Sequence, residues 1–173
     1  MDSSKRIYKS VEAFFTKSNL TFSTTADGTE IQIEFKGLTG SWICSAYCLE
    51  ERNQFCFYSN IPIQVPEEKR TLISEFLTRA NCRQVIGNWE IDLDSGLIRF
   101  KTSIDLEGTE IQESIINAVI LPNVVAADKY IPGMVSVLDG ELSPKEAITF
   151  INQAADTKED STVKVGFEKT KPD

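Results

Sequence analysis

On either side of Asp27-Gly28 the residues alternate between apolar and polar, with Ile31 and Ile33 set between Glu30, Gln32 and Glu34. A period of two is the mark of a strand with one buried face. Asp-Gly signals a two-residue hairpin loop of type I′, because both turn positions need φ > 0. That loop sets Phe22 opposite Ile33 and Thr24 opposite Ile31, and leaves Glu30, Gln32 and Glu34 on a wet face. A chain patterned this way is committed to an antiparallel sheet.

Two further strand pairs follow. Residues 41–50 and 54–59 form one around Arg52-Asn53, apolar on both faces. That predicts helices over one face of this part of the sheet, and a partner or second layer over the other. Pro62 and Pro66 are expected to close the strand region, Pro66 near the first turn of the next helix, where a missing N–H costs nothing. In the third pair a Ser95-Gly96 loop sets Leu93 opposite Ile98 and Ile91 opposite Phe100. The same register sets Asp92 opposite Arg99 and Glu90 opposite Lys101. A slip of one residue would face apolar groups with charges.

Helical spacing appears in four places. Ile7, Val11, Phe14 and Phe15 make a stripe over residues 4–18, with Ser3 or Ser4 as its cap. Leu72, Ile73, Phe76, Leu77 and Ala80 form one side of a second helix, opposite Lys69, Arg70 and Arg79. Ile111, Ile115, Ile116, Val119 and Ile120 begin a third, which Pro122 and Pro132 are expected to kink or divide. An apolar stretch from Val124 to Leu138 runs on to a stop at Gly140. Ser143-Pro144-Lys145-Glu146 then starts the last helix, with serine as N-cap and proline at the first helical position. From Asp156 onward the chain is rich in Lys, Asp, Glu and Thr. The 173 residues thus read as one α+β domain over 1–155 and a flexible charged tail over 156–173.

Composition removes whole classes of chemistry. The chain has no histidine, so Ser-His-Asp and Cys-His catalysis, HExxH proteases and Cys₂His₂ fingers are excluded. With 18 Lys+Arg against 26 Asp+Glu, the net charge of −8 argues against a general nucleic-acid binder, which needs a basic surface. Cys44, Cys48, Cys56 and Cys82 form no CxxC pair and read as buried, reduced thiols. The N-terminus lacks the apolar core of a signal peptide, and no run reads as a membrane span. A cytoplasmic location is expected.

Few residues suggest reactivity. Glu90, Asp92 and Asp94 share one strand face, but pairing with Lys101 and Arg99 would keep the first two ionised and solvated. Asp92-Leu93-Asp94-Ser95-Gly96 imitates the start of a calcium loop, with glycine one position early and Ser103 where the bidentate glutamate belongs. The Ser161-x-x-Lys164 pair falls in the expected tail. No GxSxG, Walker A or GxGxxG motif occurs. Lys69, Arg70, Arg79 and Arg83 are a solvated helix face or a contact for acidic peptide. Trp42, Trp89 and Tyr130 read first as packing residues. No catalytic, metal or cofactor residue is assigned.

A series of motifs resembles the YbjN-like family, a group of bacterial sensory-transduction regulators. The series begins with Pro66-Glu67-Glu68-Lys69-Arg70, Glu75-Phe76-Leu77-Thr78-Arg79-Ala80-Asn81 and Ile86-Gly87-Asn88-Trp89-Glu90-Ile91-Asp92-Leu93. It continues through Arg99-Phe100-Lys101-Thr102-Ser103-Ile104-Asp105, Asp128-Lys129-Tyr130-Ile131-Pro132-Gly133 and Ser143-Pro144-Lys145-Glu146-Ala147-Ile148. The likeness spans residues 5–155 and is nearest the cyanobacterial branch. It implies the fold of type III secretion chaperones, an α-β-β-β-α-β-β-α sandwich that commonly dimerises, here with an additional strand and C-terminal helices. It brings no catalytic residue with it.

The expectation is therefore a non-enzymatic, cytoplasmic, homodimeric protein that binds a protein or peptide. Trp42, Tyr47, Phe57 and Tyr58 are the candidate contacts, with Arg70 and Arg79 as specificity charges. The alternative is a small-molecule or ion sensor, with a pocket between sheet and helices and Arg79, Arg99 or Lys101 at its mouth.

Overall fold

The computed structural model describes residues 5–156. The chain runs α1 (Arg6–Lys17), β1 (Phe22–Thr24), β2 (Glu30–Lys36), β3 (Ser41–Leu49), β4 (Gln54–Gln64), α2 (Arg70–Asn81), β5 (Asn88–Ile91), β6 (Leu97–Asp105), α3 (Glu113–Leu138) and α4 (Pro144–Asp156). The six strands form one antiparallel sheet in the order β1-β2-β3-β4-β6-β5. This is the expected α+β arrangement, with four strands ahead of α2 and a second helix after the last strand.

The first hairpin keeps the expected register, Phe22 opposite Ile33 and Thr24 opposite Ile31. Its loop differs. Gly28 donates to the Thr25 carbonyl at 3.0 Å and alone takes positive φ (+67°), so the turn is wider than type I′. Asp27 instead turns its carboxylate onto the Thr29 amide and the Thr25 and Thr29 hydroxyls.

The last hairpin is shifted by two residues from the expected register. Glu90 lies opposite Arg99, Ile91 opposite Ile98 and Trp89 opposite Phe100. Asp92 leaves the ladder and accepts from the amides of Asp94 and Ser95 and from the Ser95 hydroxyl, which closes the turn. A two-residue slip preserves the alternation of faces, so the apolar pattern cannot choose between the two registers. Side-chain bonds in the turn choose. Leu93 is consequently exposed in the loop.

Pro62 does not end a strand. β4 continues to Gln64 through a register shift between Ile61 and Gln64, an irregularity that tolerates a residue with no N–H. The prolines of α3 do not divide it either. Pro132 deprives the Asp128 carbonyl of its intrahelical donor, and the Thr39 hydroxyl approaches that oxygen at 3.4 Å. The Asp128 carboxylate also accepts from the amides of Leu38 and Thr39, which ties the β2–β3 turn to the helix. Beside Pro122, the Thr102 hydroxyl donates to the Val119 carbonyl at 2.8 Å. By length and composition α3 could cross a membrane; in this fold its inner side, from Ile116 to Val137, is buried.

The start of α1 is capped from a distance, by Glu50 Oε1 accepting the Tyr8 amide at 2.8 Å. The proposed caps Ser3 and Ser4 lie outside the described residues, as does the proposed tail beyond Asp156. α4 starts as expected: Ser143 Oγ accepts the Glu146 amide, and the Glu146 carboxylate accepts the Ser143 amide. Leu72, assigned to the inner side of α2, is partly exposed, whereas Ile73, Phe76, Leu77 and Ala80 are buried.

All helices lie on one side of the sheet. There Ile31 and Ile33 of β2, Cys44 and Ala46 of β3, Phe55 and Phe57 of β4, and Phe100 of β6 join Ile7, Phe15, Phe76 and Tyr130 in one core. Within that core sits a buried polar group. Asn123 of α3 donates to the carbonyls of Phe57 and Phe100 and to Thr102 Oγ1, and accepts from the Ser59 hydroxyl. Ser59 in turn accepts from Trp42 Nε1 at 2.9 Å.

Candidate partner-binding face

The other side of the sheet carries no helix among the described residues. Because side chains alternate across each strand, this face takes the opposite set from the core. β2 contributes Glu30, Gln32 and Glu34, and β3 contributes Ile43, Ser45 and Tyr47. β4 contributes Cys56, Tyr58 and Asn60, and β6 contributes Arg99 and Lys101. Pairing aligns them in rows. Glu34, Ile43, Asn60, Arg99 and Glu90 make one row, and Gln32, Ser45, Tyr58, Lys101 and Asn88 the next. Glu30, Tyr47, Cys56 and Ser103 make a third.

The centre of the face is aromatic. Tyr47 and Tyr58 meet edge to face with ring centroids 5.5 Å apart, and the Arg99 guanidinium stacks over Tyr58 at 4.6 Å. Beside them, a hollow of about 170 Å³ is lined by Tyr47, Leu49, Cys56, Tyr58 and Arg99. Partial burial raises both phenols above their ordinary value, so both remain hydrogen-bond donors at neutral pH. Ile43 is about half exposed (46%), and Asn60 donates to Ser45 Oγ at 3.1 Å.

Both flanks are charged. Glu30, Glu34 and Lys36 stand on β2, and Arg99, Lys101 and Asp105 on β6. Glu90 binds both cations, Oε2 to Arg99 Nε and Oε1 to Lys101 Nζ, each at 2.7 Å. Burial pushes the Glu90 carboxyl upward, but hydrogen bonds from Lys101, Arg99 and Asn88 outweigh it and hold the group below its ordinary value. Its hydrogen bond to Glu90 raises Lys101.

The structure separates the sequence candidates. Tyr47 and Tyr58 meet on the open face. Trp42 and Phe57 point the other way and are core residues, 3% and 0% exposed, so neither can touch a partner. Phe57 and Tyr58 are neighbours on one strand and therefore face opposite sides. Arg70 ties the last hairpin to α2, donating to the carbonyls of Leu93 and Val65. Arg79 pairs with Glu75 one turn away on the same helix. Neither arginine joins the tyrosines. Sequence reasoning passed over Ile43, Asn60 and the β2 glutamates. Their alternation was legible, but their place in one surface depends on strand order.

The acid–base candidates also disperse. Glu90 is ion-paired, Asp92 closes a turn and Asp94 is exposed. Among the described residues, no three His, Cys, Asp or Glu side chains are grouped to hold a metal. A larger hollow of about 720 Å³ lies at the end of the sandwich, between Arg6, the β3–β4 turn and the β6–α3 connection. Neither hollow lies between the sheet and the helices.

Residues 8–119 match the YbjN family model, described as "Putative bacterial sensory transduction regulator". Among solved structures, YbjN from E. coli matches with a TM-score of 0.54 at 9% identity, covering 77% of this chain and 90% of that one. The ExsC–ExsE complex matches at 0.51 and 14% identity, covering 75% and 94%. The HopA1–SchA chaperone–effector complex matches at 0.50 and 13%, covering 72% and 93%. At such identities the likeness is one of fold. No curated protein sequence matches the chain.

Proposed function

The chain belongs to the YbjN family, and from that premise we propose that it is a non-enzymatic regulator that works by binding protein through the open sheet face. One observation carries this reading: an aromatic centre, Tyr47 and Tyr58 with Arg99 stacked on it, stands uncovered between charged flanks. Interfaces concentrate binding energy in tyrosine and arginine at the centre of a patch, with charged groups at the rim. Two of the solved structures sharing the fold are complexes, ExsC with ExsE and SchA with HopA1, the latter a chaperone with its effector. The dispersed carboxylates and the lack of histidine support a role without catalysis. A homodimeric, cytoplasmic protein that does not bind nucleic acid is part of the same proposal.

Affinity capture with the full chain, read by mass spectrometry, tests it. Ile43→Asp and Tyr58→Ala should each cut recovery of the captured protein by about tenfold or more, while the far-UV spectrum is unchanged. Recovery that neither change affects would overturn this choice of surface.

A further inference from the structure

Between Glu113 and Asp128, α3 carries no charged side chain. A helix that is apolar all round needs cover on every side. Toward its C-terminus α2 and α4 pack on it, with Ile151 and Phe76 against Gly133. Toward its N-terminus the sheet covers the inner side, where Asn123 bonds to the strands. The outer side is left exposed there. Ala118, Leu121 and Val125 recur along it at helical spacing, with Leu121 37% and Val125 41% accessible.

Leu38 joins this stripe. Its amide donates to Asp128 Oδ2 at 3.0 Å, which sets the β2–β3 turn against α3 about one turn beyond Val125. The Leu38 side chain is 89% exposed. A single exposed leucine is ordinary, but three branched aliphatic side chains gathered along an uncharged helix form a patch that calls for an occupant.

The chain itself is directed at that patch. Gly133 and Ile151 touch across the turn that joins α3 to α4, so α4 runs back along α3. Five residues after Ile151, α4 ends at Asp156, abreast of Asp128 and so at the level of Leu38. This end lies on the helix side of the sheet, with the open sheet face behind it.

Residues 157–173 hold three large apolar side chains, Val163, Val165 and Phe167, in alternation with Lys164 and Gly166. A period of two gives an extended segment one apolar side. We propose that segment 163–167 lies along α3 as a strap and covers Leu38, Leu121 and Val125.

Reach is ample. Val163 follows Asp156 by seven residues, up to about 23 Å of extended chain, whereas Leu121 stands only about 10 Å back along the helix from Asp128. Charge agrees at the crossing. Lys158, Glu159 and Asp160 are acidic on balance, and they pass the exposed Lys129 beside the end of α4. Because the strap stays on the helix side, it leaves Tyr47, Tyr58 and Arg99 uncovered and does not depend on the partner-binding reading of that face.

Timed trypsin digestion of the full chain, followed by mass spectrometry at the Lys164–Val165 bond, tests the proposal. The wild type should be cut about tenfold or more slowly than either Leu38→Asp or Phe167→Asp, since cleavage follows the fraction of time the segment is released. Leu38 stands on an exposed turn, so Leu38→Asp should keep the far-UV spectrum of the wild type. A second measurement places the segment. In a Cys82→Ser background, Val125→Cys and Val165→Cys should join within one chain on mild oxidation, seen as faster migration on a non-reducing gel. Equal cleavage rates in the three proteins, no disulfide, or a disulfide formed only between chains would each overturn the strap, the last by assigning the patch to a second copy.

Discussion

The Ser59 hydroxyl donates to Asn123 Oδ1 at 2.6 Å in full burial, joining the middle of the sheet to the middle of its longest helix. It is a polar contact at the centre of an apolar core, and its value lies in being fully satisfied. Asn123 spends its amide on two strand carbonyls and Thr102, while Ser59 also receives Trp42. A network of this kind fixes how helix and sheet meet, and it leaves unpaired groups behind when one member is removed.

Asn123→Leu keeps the volume and removes the bonds. It should lower stability by about 2–4 kcal/mol, seen as a fall in urea midpoint at constant slope. A loss under about 1 kcal/mol would mean the carbonyls and Ser59 find other partners.

The observed register of the last hairpin predicts which charges couple. A double-mutant cycle of Glu90→Gln and Arg99→Gln should give about 0.5–1 kcal/mol, modest because Arg99 is half exposed. Asp92→Asn with Arg99→Gln should add within about 0.3 kcal/mol, because Asp92 is engaged in the turn. The reverse result would restore the register in which Asp92 faces Arg99.

Stability should be level between about pH 5 and 8, since no histidine titrates there. On the acid side, hydrogen bonds hold Asp27, Asp92, Asp105 and Glu146 below their ordinary values. Stability from such groups is present above the unfolded pKa and lost as pH falls through the folded one. On the alkaline side, burial pushes Cys44 and Cys48 up to about 12. That contribution is whole below the unfolded thiol pKa and is lost as pH climbs towards 12. Denaturant midpoints measured across this range should show the plateau and both declines. A transition near pH 6.5 would contradict the assignment.

Gly96 has φ of +75°, and an added Cβ would run into the Val65 carbonyl oxygen. The two residues are already joined by the Val65 amide donating to the Gly96 carbonyl at 2.9 Å. Gly96→Ala should cost more than about 2 kcal/mol in equilibrium unfolding, because neither backbone can give way. A neutral substitution would show that the β5–β6 turn is free to shift.

Local pattern made much of the fold legible. Ile31 and Ile33 alternate with glutamates, and Asp27-Gly28 lies midway, so the first register follows from adjacent residues. Ser143 and Glu146 announce the last helix in the same way. The difficulty came where the deciding partner is far along the chain. Pro132 argues for a broken helix until Thr39 is found beside the Asp128 carbonyl that it frees. Among the described residues, Lys5 before Arg6 makes no side-chain cap for α1; Glu50 supplies the acceptor to Tyr8 from 42 residues away. For the candidate site, Tyr47 and Tyr58 were within reach of sequence reasoning. Trp42 and Phe57 were separated from them only by which side of β3 and β4 faces the helices.

By itself, then, the sequence determined the element types, the alternation of inside and outside along each strand, and the exclusion of histidine chemistry. These are properties of neighbours, set by period and by composition. Tertiary structure decided the register of Glu90 with Arg99, the continuity of α3, and the assembly of Glu34, Tyr47, Tyr58 and Arg99 into one surface. A period of two is unchanged by a slip of two. Which charged column lies beside which is a property of strand order, and strand order is settled only when the whole sheet packs on its helices.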